Sequence, residues 1–252
     1  LVGDKPKLIY QANIAGAGSH QITDGVGISI NNKPHLMFLI GEGFKSERAQ
    51  DPQVEGGKVM LIQEDGSNPL GNRPYANPKV EALGIRNAFV ITNNPSDSGK
   101  YLIADTGPDK YDRLIYTHLT TGSRLNFNWS GDQEKLKEPI PDPDNRLIKD
   151  LVIYRLPQTR TFTGLKFIPK SNQVLAVMFG QTGSTANTPG KEVWLGELTN
   201  LNGQPKIFFT PIIRRVKEAE GKLGNPLGLE IDPQTGDFFF ADILEGRLYQ
   251  VS

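Results

Sequence analysis

Leu227-Gly-Leu-Glu-Ile-Asp232 runs into Pro233-Gln-Thr-Gly236, then Asp237-Phe-Phe-Phe-Ala-Asp242, then Gly246-Arg-Leu-Tyr-Gln-Val251. A short apolar run, a Pro/Gly turn, an immediate second run and a third after a loop read as three antiparallel strands. Three earlier stretches can be laid under this one. Val26–Ile30, His35–Ile40 and Lys58–Ile62 form the first copy. Ala88–Thr92, Lys100–Asp105 and Arg113–Tyr116 form the second, and Thr163–Ile168, Val174–Phe179 and Glu192–Leu195 the third. Fourth strands are expected after the second and third copies, at Arg124–Asn128 and Lys206–Thr210. A repeated unit of three or four antiparallel strands predicts an all-β fold, a β-propeller of four-stranded blades with about four blades recognisable here. A β-sandwich of similar strand count is the alternative, but it leaves the repeated strand order unexplained. The strand-like Lys7–Gln11 is expected to add to the last blade and close the ring, which would remove an exposed edge.

Composition agrees. The 252 residues include 27 Gly and 18 Pro, which favours many short strands over long helices. Helical periodicity is confined to Glu134–Glu138 and Arg214–Leu223, both short, polar and read as surface turns. Lys plus Arg and Asp plus Glu balance at 28 each, so no overall charge draws the chain to nucleic acid or an anionic membrane. No apolar run approaches the roughly 20 residues of a membrane span. With no Cys there is neither a disulfide framework nor a thiolate nucleophile. No signal peptide is visible at Leu1, and the abrupt opening leaves room for a preceding leader or more. Long connections at Gly43–Gly57, Glu64–Leu83, Ser130–Asp150 and Gln181–Lys191 are candidate carriers of function. Asn128-Trp-Ser130 is an N-glycosylation triplet of a kind that arises often by chance.

Three segments carry a resemblance. The first is Gly41-Glu-Gly-Phe44, Arg48-Ala-Gln-Asp51 and Gly57-Lys-Val-Met-Leu-Ile-Gln-Glu-Asp-Gly-Ser-Asn-Pro69. The second is Ala82-Leu-Gly-Ile-Arg-Asn87, followed by Ile103-Ala-Asp-Thr-Gly-Pro108 and Asp112-Arg-Leu-Ile115; the third is Gly224–Val251. In order and spacing they resemble the glucose/sorbosone dehydrogenase family, soluble sugar dehydrogenases that use pyrroloquinoline quinone (PQQ) on a six-bladed propeller.

The resemblance implies a PQQ-dependent oxidoreductase acting on the CH–OH group of sugars or related alcohols or aldehydes, exported to the periplasm or outside the cell. Its partner is a small-molecule sugar or alcohol, and its cofactors are PQQ and Ca²⁺. The family's chemistry needs a base for the hydroxyl proton, cations near the quinone oxygens, and hard oxygen ligands for calcium. By resemblance His20 is the base and Arg86, with Asn87, contacts the quinone. The Gly107 and Pro108 carbonyls hold the metal, and Asn225 stands with Gln181 and Thr182 where relatives carry further Lys or Arg. Read from the residues alone, His20 is equally a loop histidine, Arg86 a partner for Asp105 or Glu81, and Gly107-Pro108 a plain turn.

The departures are specific. Gln21 stands where the family has glycine after its histidine, Glu42 replaces an aspartate, and Ala88 replaces a proline. A six-bladed ring needs on the order of a hundred more residues, so the chain is either part of a longer ring lacking N-terminal blades or a shortened one. Two rival functions follow. One is a non-catalytic propeller that kept the scaffold and lost the cofactor. The other is a Ca²⁺-dependent gluconolactonase-like hydrolase, with Asp24, Asn87, Thr163 and Asn225 around the metal.

Overall fold

A computed structural model describes residues 5–14, 19–71, 73–120, 122, 124–138, 151–180, 191–214 and 224–252. The strands form four sheets in chain order. Blade 1 contains β1 (Ile22–Ile30), β2 (Lys33–Ile40), β3 (Lys58–Gln63) and β4 (Val80–Leu83). Blade 2 contains β5 (Ala88–Asn93), β6 (Lys100–Asp105), β7 (Asp112–His118) and, after the two-residue β8 (Leu125–Asn126), β9 (Val152–Leu156). Blade 3 contains β10 (Phe162–Phe167), β11 (Gln173–Met178), β12 (Glu192–Leu201) and β13 (Gln204–Arg214). Blade 4 contains β14 (Pro226–Ile231), β15 (Phe238–Asp242) and β16 (Arg247–Val251).

The side-chain alternation of each second strand explains why the sheets stack. Met37 and Leu39 of β2 enter one core with Ile91 and Ile103 of blade 2, while Phe38 and Ile40 face the other way. Leu102 and Ala104 of β6 meet Leu165, Val174 and Ala176 of blade 3. Leu175 and Val177 of β11 meet Leu229, Phe238 and Phe240 of blade 4. Every second residue therefore serves the next blade, and each fully buried aliphatic contributes about 1.5–3 kcal/mol. Four separate sheets packed in succession are the arrangement of a propeller, not of a two-sheet sandwich.

The first strands line the hub: β1 packs on β5, β5 on β10 and β10 on β14. Each carries a register shift at its start, between Ile22 and Gly25, Ala88 and Val90, Phe162 and Gly164, and Leu227 and Glu230. A bulge at this place bends the strand and re-aims the residues just before it, which lie at the mouth.

Three expectations are corrected. Residues 7–11 do not extend the last blade. Ile9 and Tyr10 lie on the outer face of blade 1, where the Tyr10 ring meets Phe38 edge-on at 5.0 Å, and β14 does not pack on β1 as the other first strands pack on one another. The fourth strand of blade 2 is Val152–Leu156, not Arg124–Asn128, since Leu125–Asn126 returns to pair in parallel with β4 of blade 1. The connection 64–83 hides a strand, Val80–Leu83, which is wholly buried and so shows no polar alternation. Gln133–Lys137 is the expected surface turn, in 3-10 form, and residues 215–223 of the second such stretch lie outside the described residues.

Candidate active site at the mouth of the hub

The mouth is built by one hydrogen-bond pattern repeated around the hub. The residue after each second strand donates its backbone N–H to the residue that leads into the first strand. The pairs are Gly41 to Gln21, Thr106 to Asn87, Phe179 to Thr161 and Ile243 to Asn225. By this register His20, Arg86, Arg160 and Gly224 occupy the same place in four successive blades.

In blade 2 the entrance is held by Asp105. Its Oδ1 accepts the N–H groups of Arg86 and Asn87 at 3.1 and 2.9 Å, and its Oδ2 accepts from the buried Arg113 at 2.8 Å. Blade 4 repeats this with Asp242, which accepts from the backbone of Gly224 and Asn225. Blade 3 borrows its acceptor: Asp112, first residue of β7 in blade 2, accepts from Arg160 and Thr161 at 2.7 Å each, and from Gly107 at 2.9 Å. Burial pushes the Asp112 carboxyl up to about 6 against these three N–H donors.

A cavity of about 470 Å³ opens here, lined among others by Ser19, Arg86, Asn87, Gly107, Pro108 and Thr163. Five of the sequence-selected residues, Arg86, Asn87, Gly107, Pro108 and Thr163, therefore share one pocket. The Arg86 side chain takes neither expected acid. Its Nη1 donates to the carbonyls of Thr106 and Gly107 at 3.0 and 3.1 Å, while Nε is buried without a partner. Asn87 Oδ1 is likewise buried and unpartnered. The Gly107 carbonyl also accepts from Thr159 Oγ1 at 3.3 Å.

His20 is buried beside this pocket, directly after its lining residue Ser19. It adopts φ 57°, stacks on Phe44 with ring centroids 4.1 Å apart, and places Nδ1 3.4 Å from Glu42 Oε1. Gly41 is needed below it, because a Cβ there would lie 2.7 Å from the His20 carbonyl carbon. His35 has both ring nitrogens engaged, by the Lys33 carbonyl and the Leu70 N–H, in keeping with a packing role. Asn225 is buried with Oδ1 unpartnered, at the equivalent position of blade 4 and outside the residues lining this cavity. Gln181 and Thr182 lie outside the described residues.

Of the oxygens considered for a lactonase-type metal, Asp24 Oδ2 accepts the Ile91 N–H and Thr163 Oγ1 donates to the Pro226 carbonyl, so both tie blades together. Among the described residues no His, Asp or Glu cluster of three could hold a metal ion. Nor does any helix among them have the length and apolarity to cross a membrane.

Two residues at this site carried no role in the sequence reading. Glu42 registered only as a substitution, and Trp129 only as the middle of a glycosylation triplet. Glu42 Oε2 accepts the Trp129 indole N–H, and the Glu42 backbone N–H donates to the Arg86 carbonyl at 2.9 Å. The Arg86 guanidinium stands 5.7 Å from the Trp129 ring. The signals were a tryptophan needing an acceptor for its N–H and an acid next to a glycine-paired strand end.

Residues 4–127 match the Glucose / Sorbosone dehydrogenase family. Solved structures share the fold at low identity. A glucose dehydrogenase aligns at TM-score 0.68 and 16% identity over 98% of this chain and 68% of its own. The PQQ-bound aldose sugar dehydrogenase of Streptomyces coelicolor aligns at 0.58 and 15% over 92% of this chain and 60% of its own. The soluble aldose sugar dehydrogenase of Escherichia coli, in apo form, aligns at 0.59 and 15% over 92% and 64%. The chain spans between about a half and two thirds of the length of such structures. No curated protein sequence matches it. A run of β-propeller blades with this mouth, and with this sequence match over residues 4–127, resembles the glucose/sorbosone dehydrogenase family.

Proposed function

We propose that the chain is a propeller domain of a PQQ-dependent dehydrogenase that oxidises the CH–OH group of a sugar or related alcohol, exported from the cytoplasm. The observation that carries this reading is the single cavity shared by Arg86, Asn87, Gly107 and Pro108, with His20 next to its wall. The unpartnered Arg86 Nε and Asn87 Oδ1 fit a planar polar cofactor with carbonyl and carboxylate oxygens, because such buried groups gain from a partner. When bound, PQQ supplies the acceptor for the substrate hydride. The chain's own part is to orient that acceptor through Arg86 and Asn87, with Asn225 as a more distant amide. His20 takes the hydroxyl proton. Gly107 and Pro108 would present carbonyl oxygens to Ca²⁺. The Gly107 carbonyl already accepts from Arg86 and Thr159, so calcium and guanidinium compete for one oxygen.

The 252 residues are further proposed to act as a single domain, four blades of a larger ring. Supporting this are the separation of β14 from β1 and the greater length of the matched structures.

The test is to add PQQ and Ca²⁺, follow quinone absorption, and measure dye reduction with a panel of aldoses. His20→Ala is expected to lower turnover by about 100-fold or more while quinone binding persists. Unchanged turnover removes His20 from the mechanism, and lactone hydrolysis without quinone replaces the reading altogether.

A further inference from the structure

Trp129 makes two contacts that lead to two different blades. Residues 125–129 cross back from blade 2 onto blade 1, pinned by Phe127 N–H to the Leu83 carbonyl at 2.8 Å and Trp129 N–H to the Gly84 carbonyl at 3.1 Å. Gln50 Nε2 fixes the Trp129 carbonyl at 2.6 Å, and Ala49 and Leu136 pack with its ring. The indole is therefore held by backbone, independently of anything it does at the mouth. Its N–H, which can only donate, is spent on Glu42 Oε2. Its ring attracts the Arg86 guanidinium. The other Glu42 oxygen faces His20 Nδ1.

We infer that Trp129 is a positioning residue, which fixes the Glu42 carboxylate against His20 and seats the Arg86 guanidinium, so that base and cation keep one geometry across the join between blades 1 and 2. A carboxylate with one oxygen fixed by an indole N–H cannot rotate away from the imidazole without breaking a buried hydrogen bond. A neutral packing residue here would leave it free to do so. A Glu presents an oxygen to each neighbour: Oε1 to His20 and Oε2 to Trp129. The inference rests on the dehydrogenase reading only where turnover is measured.

The chain has two tryptophans, so the indole N–H region of an NMR spectrum holds two side-chain signals. Trp194, whose N–H bonds to Glu192, is an internal control. In the cofactor-free protein His20→Asn, which does not touch Trp129, is expected to displace the Trp129 indole signal while Trp194 stays still. The displacement should vanish when Glu42→Gln is already present, since coupled residues do not add. A Trp129 signal indifferent to His20→Asn overturns the inference whether or not the quinone binds.

In the PQQ-loaded protein Trp129→Phe keeps the ring and loses the donor. Turnover should fall about 10-fold with quinone affinity unchanged, because the proton acceptor is displaced and the cation is not. Wild-type turnover in Trp129→Phe overturns it. Should that variant fail to fold, Glu42→Gln carries the same arm, with the same expected drop and the same overturning result.

Discussion

The entrances to blades 2 and 4 are the same device with different contents. In each, an aspartate ending the second strand accepts two consecutive backbone N–H groups ahead of the first strand, and an asparagine follows with a buried, unpartnered oxygen. Yet blade 2 carries Arg86 before its asparagine and blade 4 carries Gly224. Asp105 is joined by the buried Arg113, whereas Asp242 spends its Oδ1 on the further N–H groups of Leu244 and Glu245. The scaffold repeats, and the differences lie in the one residue ahead of each entrance and in what else bonds the aspartate.

Breaking the two devices should show the difference. Asp105→Ala strands the Arg113 charge in the interior and frees two backbone donors. It is expected to cost about 3–5 kcal/mol, against about 1–3 kcal/mol for Asp242→Ala, where only backbone N–H groups lose a partner. Urea midpoints measure both, and equal losses would mean that the ion pair adds nothing.

The third entrance sharpens the comparison through pH. Asp112 holds its proton to about 6 in the folded chain, against 3.8 for the free side chain. The folded state binds more protons between those values. This group's stabilisation is complete below the lower value and lost as pH rises through about 6, by about 2–3 kcal/mol in all. Asp112→Asn should flatten that slope, and an unaltered slope in that variant refutes the assignment.

The smallest effects are expected at the asparagines. Asn87→Ala and Asn225→Ala each remove an oxygen that bonds nothing, so stability should change by less than about 1 kcal/mol. Quinone affinity should drop about 10-fold for Asn87→Ala, one charge-assisted or buried bond's worth, and about 2-fold or less for Asn225→Ala. Equal drops would put both amides on the cofactor.

The blades were legible where a strand has one face toward each neighbour. Leu36–Ile40, Tyr101–Ala104 and Val174–Met178 are unbroken apolar runs, and all lie in second strands. Legibility failed where pairing depends on a partner distant in sequence. Leu125 alternates like a strand of blade 2 but joins blade 1, and Val152–Leu156 follows a long polar stretch that masks it. At the site, Arg86, Asn87, Gly107 and Pro108 line one cavity. Glu42 and Trp129 did not stand out, because their link spans two loops and no spacing rule connects residues so far apart in the chain.

Glu42 donates its backbone N–H across to the Arg86 carbonyl while its side chain serves His20. The His20 ring and the Arg86 backbone are thereby linked through one residue, in addition to the bonds each makes to its own blade. Swinging of the outer blades about the hub would carry the two together as one rigid piece. The spacing between His20 and Arg86 is then shielded from motions of blades 3 and 4, which this link does not touch.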